Sequence, residues 1–202
     1  MKSDVIAFSG NAGRMVGTVL TQADKVIAYK GLQGKDALHL RLLTEEMAGM
    51  MKSITGATDG CFWIDEENNE YSLHLQVQTR LSSDKREKLL AASTTGKNES
   101  ARGLMGRLRD FFDWGTDEDF EAFSSPLLLP DMLEQSTSPT LDWEWSMTRY
   151  ERALYTRVEQ NDFSAKEAWD ELEQSVVKNV ADDVKVAIRS GCVEMIIIKK
   201  IG

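Results

Sequence analysis

The chain has 202 residues, is 42% hydrophobic and 28% charged, and carries a formal net charge of −9 at pH 7. That length suits one domain, or one domain with an elaboration, and it can bury a sizeable core without disulfides or metal. The acidity disfavours phosphate backbones and anionic bilayer surfaces, so neither nucleic acid nor membrane is expected as a partner.

The opening residues, Met1 to Phe8, contain no long apolar run, so no signal peptide is expected and the protein reads as cytoplasmic. Met15, Val16, Val19, Leu20, Ala23, Val26 and Ile27 recur at helical spacing and predict an amphipathic helix over 12–30. Gly31 and Gly34 punctuate its end. A second helix is predicted from about Asp36 to Ile54, with Leu40, Leu43, Met47, Met50, Met51 and Ile54 as its apolar stripe. Gly56 and Gly60 bracket a turn.

A hairpin follows. Cys61 to Asp65 is rich in strand formers, and Tyr71, Leu73, Leu75 and Val77 alternate with Ser72, His74, Gln76 and Gln78. Glu67-Asn68-Asn69 is the turn between them. A short helix opens at Ser83-Asp84, a polar loop covers Ser93 to Asn98, and a further helix spans Glu99 to about Asp113. All three prolines, Pro126, Pro130 and Pro139, fall within 114–140, which reads as a long acidic connection. Long irregular loops often carry function, so a partner-binding surface is expected there.

Leu141, Trp143, Trp145 and Met147 alternate as a strand. A helix capped by Ser164 follows, with Ala168, Trp169, Leu172, Val176 and Val180 as its stripe. Val184 to Ile188 and Val193 to Ile201 form a terminal hairpin around Ser190-Gly191. The run Ile196-Ile197-Ile198 predicts a strand buried on both faces. This last stretch, broken by Glu194, Lys199 and Lys200, is far too short to span a bilayer. The uneven order of helices and strands predicts an α+β fold, a mainly antiparallel sheet with helices on one face. Residues 1–202 are expected to form one domain, with 38–113 as its core, 114–140 as the connection and 141–202 as a strand–helix–hairpin extension.

Few side chains carry chemistry. Cys61 and Cys192 are far apart in sequence and make neither a disulfide framework nor a zinc site; they read as reduced thiols. His39 and His74 each stand without a Cys partner at metal-ligand spacing and read as hydrated or hydrogen-bonded. Trp143 and Trp145 share one strand face, either packing on a helix or forming a partner surface. Gly96-Lys97-Asn98 precedes a helix and either cradles an anion or is a polar entry loop; it lacks P-loop spacing. Glu45 and Glu46 diverge by about 100° on a helix, so at most one faces inward. Met47, Met50 and Met51 fill core space or line an apolar pocket.

The run Leu42 to Met51, the strands Cys61 to Asp65 and Tyr71 to Thr79, the polar stretch Thr94 to Asn98 and the turn Gly103-Leu104-Met105-Gly106 come in a telling order. In that order and spacing, Leu38 to Asp113 resembles the core of the histidine-kinase-type (GHKL) ATPases, above all their anti-sigma-factor kinase branch. The resemblance implies a two-layer sandwich. It also implies a pocket whose remnant would hold Glu46, Met50, Gln78, Gly96, Lys97, Asn98 and Gly103.

In that family the Glu matched by Glu46 handles the attacking or phosphoryl-accepting group. An Asn four residues later holds Mg²⁺; here that position is Met50. A thioether does not replace an amide oxygen on a hard cation. The family's adenine-reading Asp and its Gly fall where this chain has the turn Gln76 to Arg80. The expectation is therefore a non-catalytic regulatory or protein-interaction protein, without cofactor or metal. Its partner would be a protein, a second copy of the chain being one candidate. The alternative is a divergent ATP-binding serine kinase or ATPase of the anti-sigma-factor kinase type, with Glu46 catalytic and ATP and Mg²⁺ as cofactors.

Overall fold

Two asparagines set the hairpin that organises the sheet. Asn68 and Asn69 adopt φ of 52° and 65°. Positive φ at both central residues is what a two-residue hairpin turn of matching twist requires. The turn joins β2 (Gly60–Glu67) to β3 (Glu70–Gln78), and fixes the register Glu67↔Glu70, Ile64↔Leu73 and Phe62↔Leu75. The computed structural model describes residues 1–9, 12–55, 59–78, 143–189 and 192–202. The helices expected at Ser83 and at 99–113, the polar loop and the 114–140 connection lie outside those residues.

The other elements are β1 (Ile6–Phe8), α1 (Ala12–Lys30), α2 (Gly34–Thr55), β4 (Trp143–Ser146), α3 (Met147–Glu159), α4 (Phe163–Glu173), α5 (Val176–Val180), β5 (Asp183–Arg189) and β6 (Cys192–Lys200). The fold is α+β. Among the described residues six strands form one antiparallel sheet in the order β1-β2-β3-β6-β5-β4. The terminal hairpin therefore extends the sheet begun by β2 and β3.

Pleating sends alternate residues to opposite faces. Phe62, Ile64, Leu73, Leu75, Val77, Val184, Val186, Val193, Met195 and Ile197 are buried and share one face. Their core continues into Met15, Val19, Ala23 and Val26 of α1, and Leu40, Leu43, Met47 and Met51 of α2. Met147 and Leu154 of α3, and Leu172 of α4, join the same core. Among the described residues the helices thus cover one face of the sheet, and none is long and apolar enough to cross a membrane.

Several expectations need correction. The strand read through Met147 stops at Ser146, and Met147 opens α3, a helix absent from the sequence reading. Its stripe (Met147, Tyr150, Leu154, Val158) is narrow, and Met147 continues the alternation of the preceding strand, which hides the switch of period. β1 was also missed, because three residues give no periodicity. The next helix is capped by Asp162, whose carboxylate accepts from the Ala165 N–H, rather than by Ser164, which lies inside α4.

The long stripe to Val180 breaks at Ser175, whose hydroxyl accepts from the Lys178 N–H and starts α5 afresh. The break turns Val176 outward and buries Val177 instead. The helix against β4 and β5 is α3; α4 packs on α3, and α5 on α2. Of the three isoleucines in this run only Ile197 is fully buried, while Ile196 and Ile198 are half-buried on the opposite face. Their apolar run reflects a central place in the sheet, not cover on both faces.

α3 is capped across strands. Ser146, at its N-cap position, makes no capping bond of its own. Asp183 of β5 accepts from the Thr148 N–H at 3.1 Å and from the Ser146 hydroxyl at 3.3 Å. A carboxylate there also meets the positive end of the helix. Asp183→Ala is expected to cost about 1–2 kcal/mol. Urea unfolding should show a lower midpoint at unchanged slope, and an unshifted midpoint would refute the cap.

Candidate functional site

α2 is laid on the sheet by its stripe, and this fixes where Glu46 and Met50 point. Glu45 turns to solvent and Glu46 is half-buried, so of the adjacent pair it is Glu46 that leans inward. Met50, one turn further on, is 4% exposed and belongs to the apolar core with Met47 and Met51. The helix packs against β3 and β6.

The segment Gln76 to Gln78 is not a turn. It forms the last rungs of β3, with Gln76↔Glu194, Val77↔Val193 and Gln78↔Cys192. The alternation of Leu73, Leu75 and Val77 simply continues, and the third strand β6 extends the ladder. Val77 alone of the three enters the helix-covered core. Gln76 is half-buried on the opposite face, where the Cys61 thiol lies 3.5 Å from its Oε1, and Gln78 is exposed. Gly96, Lys97, Asn98 and Gly103, like Thr79 and Arg80, lie outside the described residues. Glu46 and Met50 therefore share one helix packed on β3, whereas Gln76 and Gln78 take the other side of the sheet.

That other side carries a cluster the sequence did not reveal. Trp63 and His74 are register partners whose rings stack at 4.7 Å with 9° between planes. The His74 Nε2 lies 3.3 Å from Asp65 Oδ2, and its Nδ1 lies 3.3 Å from Glu194 Oε1. The Trp63 indole N–H donates to the same Asp65 Oδ2 at 3.1 Å. The Lys2 ammonium sits 5.1 Å from the Trp63 ring centroid, within cation–π reach. His74 is thus a hydrogen-bonded histidine rather than a hydrated one, and His39 is half-buried on α2.

Burial pushes the Cys61 thiol above its ordinary value, and Glu194 and Cys192 add to the rise. Cys61 and Cys192 are both free and half-buried, as read from the sequence. At the far end of the hairpin, the hydrogen bond from Lys30 holds the Glu66 carboxyl below the usual carboxylate range, helped by the Asn69 N–H. Among the described residues no group of three or more His, Cys, Asp and Glu side chains could hold a metal ion.

Trp145 packs half-buried on the core, 5.9 Å from the Tyr150 ring of α3. Of the two earlier readings for this strand, helix packing is the one that holds for Trp145. A shallow cavity of about 270 Å³ lies between the first residues and α1, lined by Lys2, Asp4, Gln22, Lys25, Val26 and Tyr29 among others.

Comparison of the chain with family models, with curated proteins and with solved structures found no match.

Proposed function

We propose that this protein is a non-catalytic regulatory or protein-interaction protein of the cytoplasm, built on a GHKL-like scaffold that has lost its Mg²⁺ and adenine contacts. The observation that carries this reading is the burial of Met50 at 4% exposure, within the apolar core. The side chain at the family's metal-ligand position is a core residue with no oxygen to offer. The strand pairing of Gln76 to Gln78 supports it further, because both glutamines sit on the face away from α2. The element order α1, α2, β2–β3 and a closing hairpin beside β3 agrees with the scaffold.

One observation favours the competing reading, a divergent nucleotide-dependent serine kinase or ATPase. Glu46, not Glu45, is the inward carboxylate, as a retained general base would be. Isothermal titration of the full chain with ATP and Mg²⁺ separates the two. The expected result is no binding at micromolar nucleotide. A micromolar Kd that depends on Mg²⁺ would reject the non-catalytic reading. It would also stabilise the protein by about 2.7 kcal/mol at a hundredfold excess over Kd.

A further inference from the structure

Among the described residues the helices cover one face of the sheet, and the second face carries apolar and charged side chains together. Ile196 and Ile198 of β6 stand half-buried near its centre line. Most charges on this face are met within the chain. Glu194 lies 3.3 Å from His74 Nδ1, Asp183 caps α3, Glu70 lies 3.5 Å from Lys200, and Lys2 sits on the Trp63 ring. Glu67 is exposed at the hairpin tip, and Glu144 and Arg189 hold the register positions opposite Ala187 and Cys192. Two groups differ. Asp65 turns Oδ2 to the Trp63 indole N–H and to His74, while its Oδ1 has no partner among the described residues. Lys185 of β5 is half-buried, and among the described residues its ammonium has no ion pair. A partly desolvated cation is costly until an anion meets it.

The strand order relates these two groups by symmetry. It reads β1-β2-β3 on one side of the seam between β3 and β6, and β6-β5-β4 on the other. A two-fold axis along that seam, midway between two stacked sheets, sets β2 of one copy over β5 of a second, and β3 over β6. Register fixes the rows: Trp63, His74, Ile196 and Lys185 stand abreast, and Cys61, Gln76, Glu194 and Ala187 form the next row. Lys185 thus comes over the partner's Trp63, with the partner's Asp65 two residues along. That offset of about 7 Å is within reach of a lysine's flexible four-carbon stem. The Trp63 ring is already engaged by His74 and Lys2, so the open Asp65 oxygen is the target. In the next row the Gln76 NH₂ donates to the partner's Glu194.

We propose that the chain forms a homodimer by stacking its two open sheet faces about this seam, with a Lys185–Asp65 ion pair on each side of an apolar centre at Ile196 and Ile198. A two-fold contact uses the same patch on both subunits, so the patch must complement itself. This one carries its unpaired cation on β5 and its open carboxylate oxygen on β2, each one strand out from the pair that flanks the axis. Stacked sheets lie about 10 Å apart with strands within about 30° of each other, so rows match best near the axis, where these residues stand. The four central strands, of 8, 9, 9 and 7 residues, span roughly 500 Å² in projection. Side-chain relief raises that toward the about 800 Å² that each partner gives to a stable interface. Glu46 and Met50 lie on the helix across the sheet, so dimerisation and nucleotide binding hold or fail separately.

Sedimentation equilibrium of the full chain measures the association. The expected result is a monomer–dimer equilibrium in the micromolar range. Lys185→Glu and Asp65→Lys should each weaken it by at least about tenfold, because like charges then face each other at both contacts. Mixed in equal amounts, the two variants should recover wild-type affinity, since their heterodimer restores opposite charges at both contacts. An unchanged urea slope shows that each variant is folded. A second readout leaves the charges untouched and decides the matter if a reversal fails to fold. Cys61 and Cys192 are the only cysteines, and both lie half-buried on this face. Their labelling by a maleimide should slow as wild-type concentration rises through the dissociation constant. A chain that stays monomeric overturns the dimer. So does a dimer that ignores both reversals, a mixture of folded variants that stays monomeric, or thiol labelling at one rate across all concentrations.

Discussion

Gly60→Ala is expected to lower stability by about 1–3 kcal/mol or more, the range for forcing atoms into packed space. The glycine is required by space, not by backbone conformation. A Cβ at position 60 would lie 2.2 Å from the Gln76 carbonyl oxygen, 2.9 Å from Phe8 Cζ and 3.0 Å from Val77 Cγ1. A side chain can rotate aside, but a backbone carbonyl cannot, so the strands themselves must part. Gly60 pairs with Val77 on one side and with Phe8 on the other. The separation should release β1, which has only three paired residues to lose. Denaturant unfolding checks the magnitude. Amide exchange checks the place: Ala7, Phe8 and Val77 should lose protection while Leu73 and Ile197 keep theirs. Gly49, with no atom within 4 Å of its own Cβ position, is the matched control. Its change to alanine, in the interior of α2, should gain about 0.5–1 kcal/mol. A Gly60→Ala protein as stable as the wild type would show that β2 and β3 yield there at no cost.

Much of this architecture could be read from local pattern. The stripes of α1 and α2, and the alternation of β3, are long enough that one face of each is unmistakable. Even the Trp63–His74 stack was within reach. Counting back from a two-residue Asn68-Asn69 turn sets Trp63 opposite His74. Glu194 was not, because its place beside His74 depends on β6 pairing with β3, a contact spanning 120 residues. The cap on α3 has the same character: its acceptor, Asp183, comes from a strand 35 residues beyond Thr148. Gln76 to Gln78 falls both in the alternation read as a strand and in the turn that the resemblance places there, because the sequence alone does not say where a strand loses its neighbour. In the fold, β6 carries the ladder on to Cys192 and keeps these residues extended. Glu46 lay between two readings for a different reason. A helix wheel separates it from Glu45, but only the packing of α2 decides which of the two leans inward.

Met50→Asn introduces the metal-ligand residue of the ATPases that Leu38 to Asp113 resembles, and under the proposed reading it is expected to create no metal site. Asparagine carries two N–H donors and an acceptor oxygen on its amide. At a position 4% exposed, among Met47, Met51 and the sheet core, these groups would be cut off from water. The loss of buried methionine and the cost of an unpaired buried amide together amount to about 3–5 kcal/mol. Met50→Leu, which conserves volume without polarity, should cost less than about 1.5 kcal/mol. The contrast assigns the penalty to the amide and the lost packing rather than to any change at this site. Calorimetry on Met50→Asn should show no gain of Mg²⁺-dependent nucleotide binding, since the helix presents residue 50 to the core. The opposite result, an asparagine variant that keeps wild-type stability and binds ATP with Mg²⁺ in the micromolar range, would mean that position 50 opens onto a usable site. The non-catalytic reading would then rest on one side chain rather than on the packing of the helix that carries it.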